Sequence, residues 1–348
     1  MENKTYGFVE VEKHKEFKQP IATYELFSHR TGGLTYLLAL LLPQILGVFA
    51  LMIIAIFAEE NSDPYLFWAY FITQAIMAAA IVVSTDFKLK KACTRMHFGK
   101  AVKKSDYLLM IPMSIVLVLG LNFIASIFIA LLEEFGYVMQ EVPFPDTTTF
   151  GGFIAGFFCI CVMPAIVEES IFRGVILRSF SQKNMWKGIV ISSALFSLMH
   201  GSAQQTAYQF VVGAILALVA IKTNSIIPSV ILHMLNNAVS LVLMFFSYDM
   251  QVAILTYSAF PAFLAVCGFV YYFYKRETPF IAEEEEHIAS NGSITMKDEN
   301  GNVIGMSRDI SASREVIKKG KKYQAIIFYS SAIAFGIFTW VTMLYLGY

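Results

Sequence analysis

Glu168-Glu169-Ser170-Ile171-Phe172-Arg173 closes a run, Phe150 to Val167, that holds no charged residue. A carboxylate at membrane depth costs about 3 kcal/mol even on lenient insertion scales, so two adjacent ones need a reason. Two later apolar stretches each carry a histidine, His200 and His233, and Asn237 follows the second by one turn. A carboxylate can take a proton from water, an imidazole can share it, and an amide N–H can hold the negative oxygen that results. Together in lipid, these groups are the parts of a hydrolytic site.

Helical spacing sorts them. Glu169 and Arg173 are four apart on one face, suited to an ion pair that fixes the helix end. Glu168 lies about 100° around the helix and has no such partner in sequence, the condition of a general base. The plainer alternative is that all three form a charged helix terminus at the water interface. Phe196 and His200 share one face, as do His233 and Asn237. An imidazole in lipid needs a hydrogen bond or a metal. Glu168, His200 and His233, from three segments, are the set that would hold a divalent metal such as zinc; the other route is direct activation of water. Asn237 offers an amide donor to an oxyanion. The chain lacks His-Glu-x-x-His and Gly-x-Ser-x-Gly, so it reads as neither an ordinary zincin nor a serine hydrolase.

The elements that must position these groups are membrane helices. Of 348 residues 57% are hydrophobic and 15% charged, against about 25% charged in soluble domains. An all-α polytopic membrane protein of about nine transmembrane helices is expected. The spans read as Leu34–Ala58, Tyr65–Thr85, Tyr107–Leu132, Phe150–Glu168, Trp186–His200, Thr206–Ile221, Ser225–Phe246, Val252–Tyr274 and Tyr323–Leu346. Trp186–His200 and Thr206–Ile221 fall short of the ~20 residues a crossing needs, as helices lining a cavity can. The segment Phe172 to Lys187 reads as an interfacial or re-entrant helix. That placement leaves Glu168 at the edge of the bilayer and His200 deep in it, unless the fourth helix continues to about Arg178.

The organisation follows: residues 1–33 a tail, 34–104 two helices and a basic loop, 105–250 the core, 251–276 a further helix, 277–322 a soluble insert, 323–348 a last helix. Basic residues in the tail and in 86–106, against acidic loops at 59–64 and 133–147, predict a cytoplasmic N-terminus. In the insert, Asn300-Gly301 between alternating residues signals a small hairpin. Gln74 and Gly213 read as an interhelical hydrogen bond and a close helix contact. Cys159, Cys161 and Cys267, in apolar segments, read as small buried hydrophobes. Lys+Arg and Asp+Glu balance at 26 each, and no nucleic-acid partner is expected.

Glu168-Glu169-x-x-x-Arg173, Phe196-x-x-x-His200 and His233-x-x-x-Asn237, in that order on successive apolar segments, resemble the CPBP family of intramembrane proteases. That family includes the type II CAAX prenyl endopeptidases and the bacterial Abi proteins tied to bacteriocin self-immunity. The resemblance covers about 105–250 and implies a glutamate-dependent intramembrane metalloendopeptidase, its need for a bound metal left open. It implies Glu168 as the base that activates water, His200 assisting, and His233 with Asn237 steadying the oxyanion. The substrate would be a membrane-embedded or lipidated peptide, and the setting the lipid of the plasma membrane. The alternative from another class is an ion- or proton-coupled transporter or binding scaffold using the same polar cluster; its mark would be inverted repeats, and the sequence shows none.

Overall fold

A computed structural model describes residues 27–98, 103–139, 143–181, 184–276, 294–297, 303–307 and 310–346. All nine apolar segments are helices, and the protein is an all-α polytopic membrane protein with one small β-hairpin. Helix α1 is His29–Ile54, α2 Asp63–Ser84, α4 Lys104–Glu134, α5 Phe150–Phe180, α6 Met185–Met199, α7 Thr206–Thr223, α8 Ile227–Leu243, α9 Tyr248–Lys275 and α10 Ile310–Leu346. A short α3, Leu89–Arg95, precedes α4. Seven of these are long and apolar enough to cross a membrane, among the described residues; α6 and α8 are shorter apolar helices.

Local chemistry sets the ends. Ser28, Asn184 and Ser247 cap α1, α6 and α9, each side chain accepting a first-turn backbone N–H. Proline stands in the first turn of α2 and α8, where no intrahelical donor is lost. Asn224 ends α7 in the left-handed conformation.

Helix α5 is the axis of the bundle. One apolar cluster, with Tyr36, Met77, Ile171, Phe172, Val175 and Phe196, packs it against α1, α2 and α6. A second, with Leu117, Leu177, Leu216, Leu232 and Val266, joins it to α4, α7, α8 and α9. Helices α1 and α10 pack together, as do α4 and α9. Gly120 permits the latter approach: a Cβ there would lie 2.6 Å from the Ala262 carbonyl carbon, the close contact that small residues give membrane helices. Large apolar side chains left exposed, such as Phe49, Leu108, Tyr257 and Phe260, face outward as a lipid-contacting surface must.

The helix ends on one side are tied by polar contacts. Arg276 Nη1 reaches Asp106 Oδ1 at 2.7 Å, and Lys222 Nζ donates to the Arg276 carbonyl at 2.6 Å. The insert that follows contains strands β1, Ile294–Lys297, and β2, Val303–Ser307, paired antiparallel with an irregularity at Met296/Lys297. Asn300-Gly301 and the tail before Phe27 lie outside the described residues.

Three expectations are corrected. The fourth span does not stop at Glu168 but runs on to Phe180, and Phe172 to Lys187 is not a separate interfacial helix. Its two arginines produce an amphipathic pattern, yet Arg173 and Arg178 are both buried among helices rather than turned to headgroups. The next helix begins only at Met185. Cys267 is exposed on α9, whereas Cys159 and Cys161 are buried; all four cysteines are free thiols.

Candidate active site

Helix α5 is irregular where the motif lies. A π stretch, Phe157–Val162, leads into an α stretch, Met163–Glu169, followed by a second π stretch, Ser170–Ile176. Wider turns of this kind, which recur at functional sites, place both glutamates between two breaks in the regular ladder. Pro164 adds to this by lacking an N–H, so the Ile160 carbonyl one turn back loses its usual donor. Asn237 Nδ2 on α8 supplies one at 3.1 Å.

Glu169 is fully buried at the centre of a knot. Arg173 Nη1 donates to its Oε1 at 2.6 Å, as the i,i+4 spacing predicts. His233 Nδ1 reaches the same oxygen at 3.0 Å from α8. The guanidinium spends a second arm, Nη2, on the Gly213 carbonyl of α7 at 2.9 Å, and lies 4.4 Å from the centre of the Phe196 ring of α6. A Cβ at Gly213 would approach the Phe196 ring to 3.1 Å, tighter than an ordinary contact, so the glycine eases this packing. A buried ion pair is held by the further bonds it makes, and here α7 and α8 each add a hydrogen bond and α6 a ring face. Glu169 Oε2 and Arg173 Nε have no hydrogen-bond partner among the described residues.

Glu168, one residue earlier, has different surroundings. It is half-buried, outside the knot, and its Oε1 accepts from Gln74 Nε2 of α2 at 3.0 Å. The expectation of a carboxylate without a partner is therefore corrected, because the donor comes from 94 positions away. His200 caps the end of α6, with Nδ1 2.9 Å from the Phe196 carbonyl. A carbonyl can only accept, so Nδ1 carries the proton and neutral His200 presents Nε2 as a lone pair. Glu168, His233 and Arg173 all act electrostatically on this ring. The Phe196 ring packs edge-on against both imidazoles, with centres 4.8 Å from His200 and 5.9 Å from His233.

Glu169, Arg173 and His233 are thus joined by hydrogen bonds, His200 meets His233 across the Phe196 ring, Glu168 adjoins on α5, and Asn237 is bonded to α5 at Ile160. They divide by role. Glu169, Arg173 and His233 are bonded together; Glu168 and His200 lie beside them with capacity unspent; Asn237 is partly engaged in closing the helix ladder. Gln74 was legible as an interhelical hydrogen bond, but its partner was not. Two apolar cavities between helices, of about 420 and 520 Å³, are lined by none of these residues.

The contacts above engage His233 Nδ1, His200 Nδ1 and Glu168 Oε1 and leave His233 Nε2, His200 Nε2 and Glu168 Oε2, the atoms through which these residues would take a metal. No step below is routed through zinc or another ion.

Residues 150–239 match the family model described as type II CAAX prenyl endopeptidase Rce1-like. They contain all six motif residues, and what the match shows is the similarity of this segment to that family. An uncharacterized 24.3 kDa protein of Escherichia coli is 34% identical over 81 residues, which are 22% of this chain and 37% of that protein. The chain therefore matches well under half the length of that relative. No solved structure matches.

Proposed function

We propose that the chain, built around this Rce1-like segment, is an intramembrane endopeptidase in which Glu168 activates the attacking water. The observation that carries this reading is the division between the two glutamates: Glu169 is fully buried and ion-paired, its second oxygen enclosed without a partner, while Glu168 is half-buried, outside the ion pair and able to meet water. In the first step Glu168 Oε2 takes a proton from water as the water oxygen bonds to the scissile carbonyl carbon. The His200 Nε2 lone pair accepts the water's other hydrogen and orients it. Negative charge then collects on the carbonyl oxygen.

His233 and Asn237 are suited to receive that charge. The Nδ1–H of His233 is held by Glu169, which aims Nε2 away from the knot; Nε2 donates when the ring is cationic, with the Glu169 carboxylate as counterion. Asn237 has a second amide hydrogen beyond the one given to Ile160. Collapse of the intermediate breaks the C–N bond, and the proton held by Glu168 passes to the leaving amine. The products are a carboxylic acid and an amine, which become carboxylate and ammonium by passing one proton between them, so the proton count closes without another reactant.

A lipidated or membrane-embedded peptide is the proposed substrate class, and peptide maturation or bacteriocin self-immunity the proposed setting. The basic loops support a cytoplasmic N-terminus. The test is mass spectrometry of peptides incubated with the purified protein in nanodiscs: a farnesylated peptide ending in a CAAX sequence, its unmodified counterpart, and a transmembrane peptide. Cleavage that disappears in Glu168→Gln and His200→Ala supports the reading; wild-type cleavage by these variants overturns it.

A further inference from the structure

We infer that Gln74 is a positioning residue for the reaction, so that the active centre is completed by a helix outside the family-matched segment. The inference rests on the reading of Glu168 as the base. Gln74 stands midway along α2, within Asp63–Ser84, and α2 packs on the stretch of α5 that carries the glutamates. Its side chain is buried, 8% exposed, and its Nε2 is the donor to Glu168 Oε1 at 3.0 Å.

Two consequences follow from that one bond. A carboxylate that spends Oε1 on an amide has its plane and rotamer fixed, which leaves Oε2 as the oxygen that meets water. The same bond ties the carboxylate to α2, so its orientation lasts only while α2 and α5 stay packed together. The amide's other end adds a third feature. Gln74 Oε1 is buried and has no hydrogen-bond partner among the described residues. A buried acceptor left unsatisfied beside a reactive carboxylate is a place for a donor that arrives with the substrate, such as a peptide N–H.

The experiment needs no substrate at its first stage. The full chain in nanodiscs is treated with dicyclohexylcarbodiimide, which attacks protonated carboxyls in apolar surroundings, and labelling at Glu168 is followed by peptide mass spectrometry. Gln74→Met keeps the length and removes the donor; Gln74→Asn keeps an amide but falls one methylene short. Both are expected to label at Glu168 about threefold faster or more than wild type, because loss of the donor frees the carboxylate oxygen for the reagent. Wild-type labelling rates in both variants overturn the inference.

Cleavage is then measured on whichever peptide the wild type cuts. Gln74→Met is expected to lower kcat about tenfold with KM within about twofold, and to have no further effect in a Glu168→Gln background. A fall in cleavage with unchanged labelling assigns Gln74 to packing and also overturns the inference. If Glu168→Gln cleaves normally while the labelling still depends on Gln74, the fault lies with the base assignment and not with the contact.

Discussion

Two adjacent glutamates on one helix occupy opposite kinds of surroundings. Around Glu169 the molecule supplies a guanidinium, an imidazole and, through the arginine, a backbone carbonyl, from helices α5, α7 and α8. Around Glu168 it supplies a single amide from α2 and a half-open space. A turn of about 100° between successive residues is enough to put one carboxylate in a structural knot and the other at a reactive edge. The comparison teaches that charge in a membrane core is held in place by hydrogen bonds from several helices, and the less enclosed carboxylate is the one proposed to carry the chemistry.

The sharpest way to break this division is on the reactive side. Glu168→Gln keeps the shape and removes the base, and should lower the cleavage rate by about 10²–10⁴-fold with the unfolding temperature held, read by peptide cleavage and thermal unfolding together. On the structural side, Arg173→Met leaves Glu169 a buried charge with one partner fewer. Breaking such a pair costs about 3–5 kcal/mol, so the variant should lose much of its folded yield and unfold far earlier in detergent.

Smaller changes refine the same contrast. Arg173→Lys retains the charge but not the fork that serves Glu169 and Gly213 at once, and should lose about 1.5–3 kcal/mol in denaturant unfolding. Asn237→Leu removes the amide donor to the Ile160 carbonyl. A stability loss of about 1 kcal/mol is expected, beside a larger fall in kcat if its second amide hydrogen meets the oxyanion.

Much of this centre could be read from the chain because helical spacing is local. The Glu169–Arg173 pair followed from four positions, and the three motifs in order identified the core segment later matched at 150–239. The hairpin followed from alternation around an Asn-Gly turn. What escaped were contacts between distant positions. Nothing local distinguishes Gln74 from Gln44 as a polar residue in a span, and nothing local says that His233 chooses Glu169 over Glu168. The course of α5 was misread for a related reason. Hydropathy cannot separate an arginine turned to headgroups from one buried against a carboxylate, so Arg173 and Arg178 made a continuous helix look like a surface one. The π stretches, which depend on the packing around α5 as much as on its residues, had no sequence mark beyond Pro164.

The central claim is the separation of roles between neighbours, and paired measurements on Glu168→Gln and Glu169→Gln test it most directly. Each variant is assayed for peptide cleavage and for thermal unfolding in the same detergent. The account predicts that Glu168→Gln is inactive and unfolds like wild type, whereas Glu169→Gln unfolds markedly earlier because Arg173 and His233 lose their common acceptor. Normal cleavage by Glu168→Gln, or equal destabilisation by the two substitutions, would contradict it.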